Sequence, residues 1–477
     1  MTSAPRPRVA VTGASGFVGS HLLPALATEF QVVALGRHPR PATEHVEWRT
    51  CDLFSASSTR AALEGIDVAI YLVHSMMPSS RLFQGSFHDT DLLLADNFAR
   101  ACVTHGVKQI IYLGGLVPDV GYVSPHLQSR QEVEAVLQAT GIPVTCLRAG
   151  MVVGPGGSSF EILHALVQRL PWMVLPRWTK SLGQAIFIDD VVTVLKAAVQ
   201  APAFIGKTLD LVNGEALTYE DLLRKTAAVL GKRRLMLPVP IASTGFSKRW
   251  VQLFSGASHE LISPLIDSLQ CDLPQPQPME PIASLIRYRR FEDMLVETVK
   301  RAKPKAPMGT RASAAPERSV RSIQRLPPLP ERDARFISNA YMAWLPRFFR
   351  AIIRVKQVPG SSRVMFSLLG VPWPLLVLEL INEASDADRD KFHIVGGLLS
   401  KTTTTGWLEF RQVSHRRHTL AAIHGFEPAL PWLVYRLSQA PVHALVMSFF
   451  GRFLARTNPP ALVAKTTATQ TGTTNQV

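Results

Sequence analysis

The chain has 477 residues, 47% of them hydrophobic and 18% charged, with a formal net charge of +15 and four cysteines. That length allows two or three domains, each burying its own core, so no disulfide or metal is needed to hold the fold. Cys51, Cys102, Cys146 and Cys271 are far apart, with no C-x-x-C or Cys/His metal spacing, and read as buried thiols of a reducing compartment.

The basic excess concentrates between Arg301 and Lys356. There Arg311, Arg318, Arg321, Arg325, Arg332 and Arg335 alternate with small residues and prolines, in the manner of a solvated linker. No helix-turn-helix, zinc finger or RNA-binding motif accompanies the charge, so no nucleic-acid partner is expected; peripheral contact with an anionic membrane surface is the better expectation. The first apolar run begins at Val9, which leaves no space for a cleavable leader and gives a cytoplasmic expectation. Two long apolar runs read as core rather than membrane spans. Val364 to Ile381 is broken by Gly370, Pro372 and Pro374, and Ala440 to Ala455 carries His443 and Arg452.

Taken in order, Val9 to Val11 is a strand, followed by Gly13-Ala-Ser15-Gly16-Phe17-Val18-Gly19 and a helix-spaced run. Strand, glycine turn and helix form the layout of a dinucleotide-binding crossover. Gly13 permits the turn, Gly16 the approach of a pyrophosphate, Gly19 close helix–sheet packing, and the helix start faces the phosphate. Gln31 to Leu35 is a second strand, ending at Gly36-Arg37. No Asp or Glu occurs from 31 to 43, so Arg37 points to a 2′-phosphate and NADP over NAD, unless it is an ordinary surface arginine.

Val46 to Arg49 is a third strand leading to Asp52-Leu53, where the carboxylate is either an adenine acceptor or a turn and cap residue. Asp67 to Val73 reads as a buried parallel strand, with Leu72, Val73 and His74 at the ligand-binding edge of the sheet. His74 is a cofactor or substrate contact, or a structural histidine. A helix over Asp89 to His105, a strand over Lys108 to Leu113, a helix over His126 to Thr140 and a strand over Val144 to Leu147 follow.

Residues 8 to 300 then resemble the short-chain dehydrogenase/reductase superfamily in its extended or atypical, NmrA-like and epimerase-like branch. The resemblance rests on Thr12 to Gly19, Gly106 to Leu113, Leu147-Arg148-Ala149-Gly150 with Val153 to Gly156, and Phe187-Ile188-Asp189-Asp190-Val191. Thr218 to Asp221, a capping box, fits the smaller substrate-side part of that branch. The resemblance implies a serine or threonine after the fifth sheet strand and a Tyr-x-x-x-Lys pair on the next helix. Here Gly114-Gly115 and His126-Leu-Gln-Ser-Arg130 stand instead, leaving His126, Arg130 and Tyr122 as catalytic candidates. Arg130 is also a candidate for the ribose or phosphate.

Residues 301–334 read as a basic Pro/Ala/Ser/Arg linker, 335–458 as an α+β domain and 459–477 as a disordered tail. Strand-like runs at 363–369, 375–381, 391–399, 407–413 and 418–426 precede one long helix over 430–456. Trp407 to Val413 alternates as though one face met water. The pattern resembles a START-like helix-grip fold and, in Leu408 to Arg411, Phe426 to Trp432 and Gln439 to His443, a bacterial domain of unknown function. That resemblance implies an apolar cavity for a lipophilic ligand, although core filling needs the same aromatic residues.

The expected architecture is therefore an α/β Rossmann doubly wound parallel sheet with a small substrate-side subdomain, plus a C-terminal antiparallel sheet with a long helix. Two functions fit it. One is an NADP(H)-dependent oxidoreductase for an apolar or activated acceptor without the usual Ser-Tyr-Lys site; the other is a non-catalytic NADP(H)-sensing or assembly protein. No metal site is expected.

Overall fold

The computed structural model describes residues 6–75, 82–118, 121–240, 245, 248, 249, 251, 252, 259–275, 277–302, 320–401 and 406–458. The expected tail, and the 303–319 part of the expected linker, lie outside the described residues. The chain divides into two compact units, Met1–Ile323 and Gln324–Val477.

Unit 1 opens with β1 (Arg8–Val11), α1 (Phe17–Leu26), β2 (Gln31–Gly36), β3 (Val46–Thr50), α2 (Ala56–Ala62), β4 (Val68–Tyr71) and β5 (Leu82–Gln84). α3 (Phe87–Thr104), β6 (Gln109–Gly115), α4 (Pro125–Gln138) and β7 (Val144–Ala149) follow, with β12 (Thr208–Leu211) later in the chain. The parallel sheet runs β12–β7–β6–β4–β1–β2–β3. Its five central strands are almost wholly buried and rich in Val, Ile and Leu, because helices cover both faces. The order reverses between β1 and β4, which makes that edge the place for a ligand in a doubly wound sheet. α3 and α4 begin on Ser86 and Ser124, whose hydroxyls accept the amide hydrogens of Asp89 and Leu127.

The smaller part of unit 1 is built from short ladders. Met151–Val153 (β8) pairs parallel with Ala185–Phe187 (β11), and Trp172–Leu175 (β9) pairs parallel with Leu235–Pro238 (β14). Leu182–Gly183 (β10) pairs antiparallel with Leu217–Thr218 (β13). α5 (Ser158–Arg169), α7 (Tyr219–Val229), α8 (His259–Ser268) and α9 (Phe291–Arg301) complete it, while α6 (Ile188–Ala197) packs beside α1 on the parallel sheet. Thr218 and Asp221 form the expected capping box at the start of α7.

The stretch read as a linker contains β15 (Val320–Leu326), of which Val320 to Ser322 pair parallel with β5. Arg321, counted among solvated arginines in the sequence, is buried. Its guanidinium meets Asp52 at 3.1 Å and lies 4.2 Å above the ring of Phe54. An ion pair and a ring face replace water there, so a polar sequence forms a buried strand.

Unit 2 starts with α10 (Ala334–Phe348) and continues through β16 (Ile353–Gln357), β17 (Arg363–Leu368), β18 (Pro374–Leu380), β19 (Arg389–Gly396), β20 (Trp407–Val413) and β21 (His418–Phe426). These six strands pair antiparallel in chain order. The run Val364 to Ile381 is thus a strand pair with its turn at Gly370, not a helix. All seven residues of β20 are buried, contrary to the expectation that one face meets water. Arg411 and Glu409 pair at 2.8 Å, which lets alternating charges leave solvent together.

The expected single helix over 430–456 is two, α11 (Trp432–Leu437) and α12 (Gln439–Thr457). Ser438 leaves the helical angles at φ −121 and ψ −75, and Pro441 has no N–H for the carbonyl of Leu437. Tyr341 and Trp344 of α10 meet Phe450 of α12 at 5.1 and 5.3 Å between ring centres, and Tyr341 meets Phe410 of β20 at 5.5 Å. Among the described residues, no helix is long and apolar enough to cross a membrane.

Candidate cofactor cleft and its histidine pair

Gly13 adopts φ +65, and a Cβ there would lie 3.2 Å from the carbonyl oxygen of Leu72. Only glycine follows this path without strain. A Cβ on Gly19 would sit 2.4 Å from the Gly13 carbonyl oxygen and 2.7 Å from Cα of Ala14, so α1 reaches the sheet because Gly19 has no side chain. Thr12 ties the turn across the switch point: its hydroxyl donates to the Ile70 carbonyl at 3.2 Å and accepts from the Leu72 amide at 3.1 Å. The turn and the N-terminus of α1 form a cradle that side chains would fill, and backbone donors at a helix start suit a pyrophosphate.

A cleft of about 610 Å³ opens over this turn. Gly13, Ser15, Gly16, Arg37, Asp52, Leu53, Leu72, Val73 and His74 all line it. Phe17, Val18 and Gly19 stand behind that lining. Phe17 packs toward Gly154 and Gly157, where any Cβ would collide with its ring. Asp52 faces the cleft but is already engaged, accepting from the Phe54 amide at 3.1 Å and pairing with Arg321.

The catalytic candidates separate. Tyr122 is 57% exposed and outside the lining. Arg130 turns inward, donating to the carbonyl of Leu113 and, at 3.5 Å, to that of Val73, with its guanidinium 5.0 Å over the Tyr112 ring. A Cβ on Gly115 would press on Leu127 at 3.1 Å and one on Gly114 on the Tyr112 ring at 3.0 Å, so the glycines at the expected serine place let β6 pack closely against these side chains. His126 stands beside His74, with ring centres 4.9 Å apart and Nδ1 3.0 Å from the Ser268 hydroxyl. Burial first, then the neighbouring His74 and Arg130, holds its pKa well below the ordinary imidazole value, so it is neutral.

His74 is the candidate that reaches the cleft. Its Nδ1 is 2.6 Å from Oδ2 of Asp91, while Oδ1 of Asp91 accepts the Ser75 amide hydrogen at 2.7 Å. Ser129 donates to Oδ2 at 3.3 Å. Burial would raise the Asp91 pKa, but His74, Arg130 and the Ser75 amide outweigh it and hold the carboxyl below its usual value. An ionised Asp91 makes Nδ1 of His74 the donor. Nε2 is buried and, among the described residues, has no hydrogen-bond partner.

Sequence reading missed Asp91. A carboxylate among Leu92, Leu93, Ala95 and Phe98 on an apolar helix requires a partner, and that was the available signal. It also missed Ser86, Phe87, Thr90 and Leu94 of α3 and its N-cap, and Ser263 and Pro264 of α8, all of which line the cleft. Among the described residues, no cluster of three or more His, Cys, Asp or Glu side chains is arranged to hold a metal.

Residues 13–166 match the family model described as NAD(P)H-binding. Over those residues the chain is similar to an NAD(P)H-binding domain. It is 32% identical over 113 residues to the auxiliary protein GraX of Staphylococcus aureus, covering 23% of this chain and 37% of that one. The chain thus spans little more than a third of GraX. Over 246 residues it is 26% identical to a ceramide reductase of Caulobacter vibrioides, covering 50% of this chain and 76% of the reductase. The solved structure of Citrobacter sp. triphenylmethane reductase complexed with NADP(H) aligns with a TM-score of 0.48 at 20% identity, covering 62% of this chain and 100% of that one.

Proposed function

We propose that unit 1 is an NADP(H)-dependent reductase in which His74, held by Asp91, delivers the proton. The observation that carries this reading is the buried, unpartnered Nε2 of His74, a residue that lines the same cleft as the Gly13–Gly16 turn. A reduced nicotinamide bound there supplies a hydride to an electron-poor carbon of the acceptor.

Asp91 accepts the Nδ1 hydrogen, so His74 gains and loses its proton at Nε2. For a carbonyl acceptor the Nε2–H bond breaks as the O–H bond of the alcohol forms, and solvent returns a proton to the ring. His126 stays neutral beside it and adds no competing positive charge. Arg37 at the end of β2, with no carboxylate from 31 to 43, favours a 2′-phosphate and hence NADP(H). Leu72, Val73, Phe87 and Leu94 make part of the cleft wall apolar, which suits an apolar or activated acceptor. The likeness to a ceramide reductase supports reduction as the reaction class.

A second reading, a cofactor-sensing protein without turnover, is favoured by Gly114-Gly115 and by the lack of a Tyr-x-x-x-Lys pair on α4. Loss of nicotinamide absorbance after mixing protein-bound NADPH with quinones and aldehydes decides between them. Oxidation by at least one acceptor class supports the reductase; saturable NADPH binding with no oxidation by any of them supports the sensor.

A further inference from the structure

We propose that one end of unit 2 docks on the surface of an anionic phospholipid bilayer. The antiparallel register brings several chain turns to that end of the sheet. Leu369 donates its amide hydrogen to Ile352 at 2.8 Å, Leu398 to Pro374 at 3.0 Å and Ala429 to Leu399 at 3.1 Å. The start of β16, the β17–β18 turn, the loop after β19 and the entry to α11 are therefore neighbours. Each presents large apolar side chains to solvent: Ile352, Leu369, Trp373, Leu398 and then Leu433 and Leu437 of α11. Trp373 is 64% exposed and Leu437 69%, values that no packing within the unit explains.

The adjoining face of α12 continues the surface. Its buried side carries Ala440, Met447, Phe450 and Leu454, while Val442, Leu445, Phe449, Arg452 and Arg456 recur at steps of three and four on the exposed side. That solvent-facing stripe begins apolar and ends cationic, and its apolar first half is the reverse of what a water-facing helix needs. Phe449 meets Phe348 near the end of α10, with ring centres 5.3 Å apart, which joins the stripe to Arg347, Arg350 and Arg354.

Charge selects the occupant. No Asp or Glu occurs from Ala334 to Leu378, nor from Pro428 to Asn458, so cations outnumber carboxylates at this end, where Glu427 abuts Lys401. Exposed Arg350 and Arg354 flank the exposed Ile352, and Arg436 lies between Leu433 and Leu437. Apolar tips with a tryptophan, flanked by an excess of arginines, match the acyl and headgroup layers of an anionic leaflet. This proposal stands apart from the cofactor reading.

The test is sedimentation of the full chain with vesicles of phosphatidylglycerol and phosphatidylcholine, against phosphatidylcholine alone. Wild type is expected to bind the anionic vesicles at least about tenfold more tightly, with the difference lost at high salt. Leu437→Glu with Leu445→Glu, and separately Arg350→Glu with Arg354→Glu, are each expected to weaken that binding about tenfold or more. Unchanged circular dichroism and thermal midpoint establish that the variants fold. Equal binding to both vesicle types, no binding, or variants that bind like wild type would overturn the proposal. So would a lipid-free dimer that Leu445→Glu converts to monomer, since the face would then be a subunit interface.

Discussion

Oδ2 of Asp91 lies 2.6 Å from Nδ1 of His74 at the point where the sheet order reverses. The carboxylate is almost wholly buried on α3, and its other oxygen is held by the Ser75 amide. The pair fixes both the ring orientation and which ring nitrogen carries the exchangeable proton.

Asp91→Asn should therefore change proton delivery more than cofactor binding. The amide no longer demands an Nδ1 donor, so the ring loses its enforced tautomer. We expect kcat to fall about 10- to 100-fold while the NADPH Kd stays within about threefold, read by steady-state kinetics and fluorescence titration. A parallel loss in both would assign Asp91 to folding alone.

Arg37 faces the cleft at the end of β2, where no carboxylate competes. Removing a charge-assisted contact to a 2′-phosphate weakens NADPH and leaves NADH nearly unaffected. Arg37→Ala is expected to reduce the NADPH-over-NADH preference about tenfold or more, measured by competitive titration. Equal affinity of the two cofactors for the unaltered protein would remove the basis for the assignment.

Gly19→Ala tests packing beneath the cradle. The new Cβ would meet backbone atoms at 2.4 and 2.7 Å, which cannot rotate away. A loss of about 1–3 kcal/mol and weaker NADPH binding are expected from calorimetric melts and titration. Gly106 is the control. It has φ +63 with nothing within 4 Å of a Cβ, so alanine there should cost about 1 kcal/mol and spare cofactor affinity.

Three histidines, His126, His164 and His443, set a pH dependence, each lowered chiefly by burial. Burial, with His74 and Arg130 beside it, lowers His126 well below the imidazole value of 6.5, and burial lowers His443 to about 4. Below the unfolded pKa the unfolded chain binds more protons than the folded one, so stability falls as pH drops from about 6.5 toward 4. Thermal midpoints should be flat above about pH 7 and decline below about 6. His126→Asn and His443→Phe should each reduce the decline; a slope unchanged in both variants would place the titrating groups elsewhere.

The parallel sheet was legible because Val9, Val32, Ile70, Ile111 and Leu147 sit in continuous apolar strands separated by capped helices. Gly13 and Gly19 were legible because no other residue fits the turn and the helix approach. Paired charges were not. Arg321 and Asp52 are 269 positions apart, and Glu409 and Arg411 mimic the alternation of a wet strand while being buried as a pair. Local pattern records polarity, whereas a distant partner or ring decides whether that polarity needs water. His74 and Asp91 illustrate the same point: each reads as a lone polar residue until the fold sets α3 against the end of β4.

The central claim is that His74 donates a proton beside a bound nicotinamide, and single-turnover stopped-flow tests it most directly. Protein loaded with NADPH is mixed with the best acceptor of the panel, for wild type and for His74→Asn, from about pH 5 to 9. The account requires a loss of about 10²- to 10⁴-fold in the oxidation rate of His74→Asn and retained NADPH binding in both. Oxidation at the same rate and with the same pH profile in both proteins would contradict it.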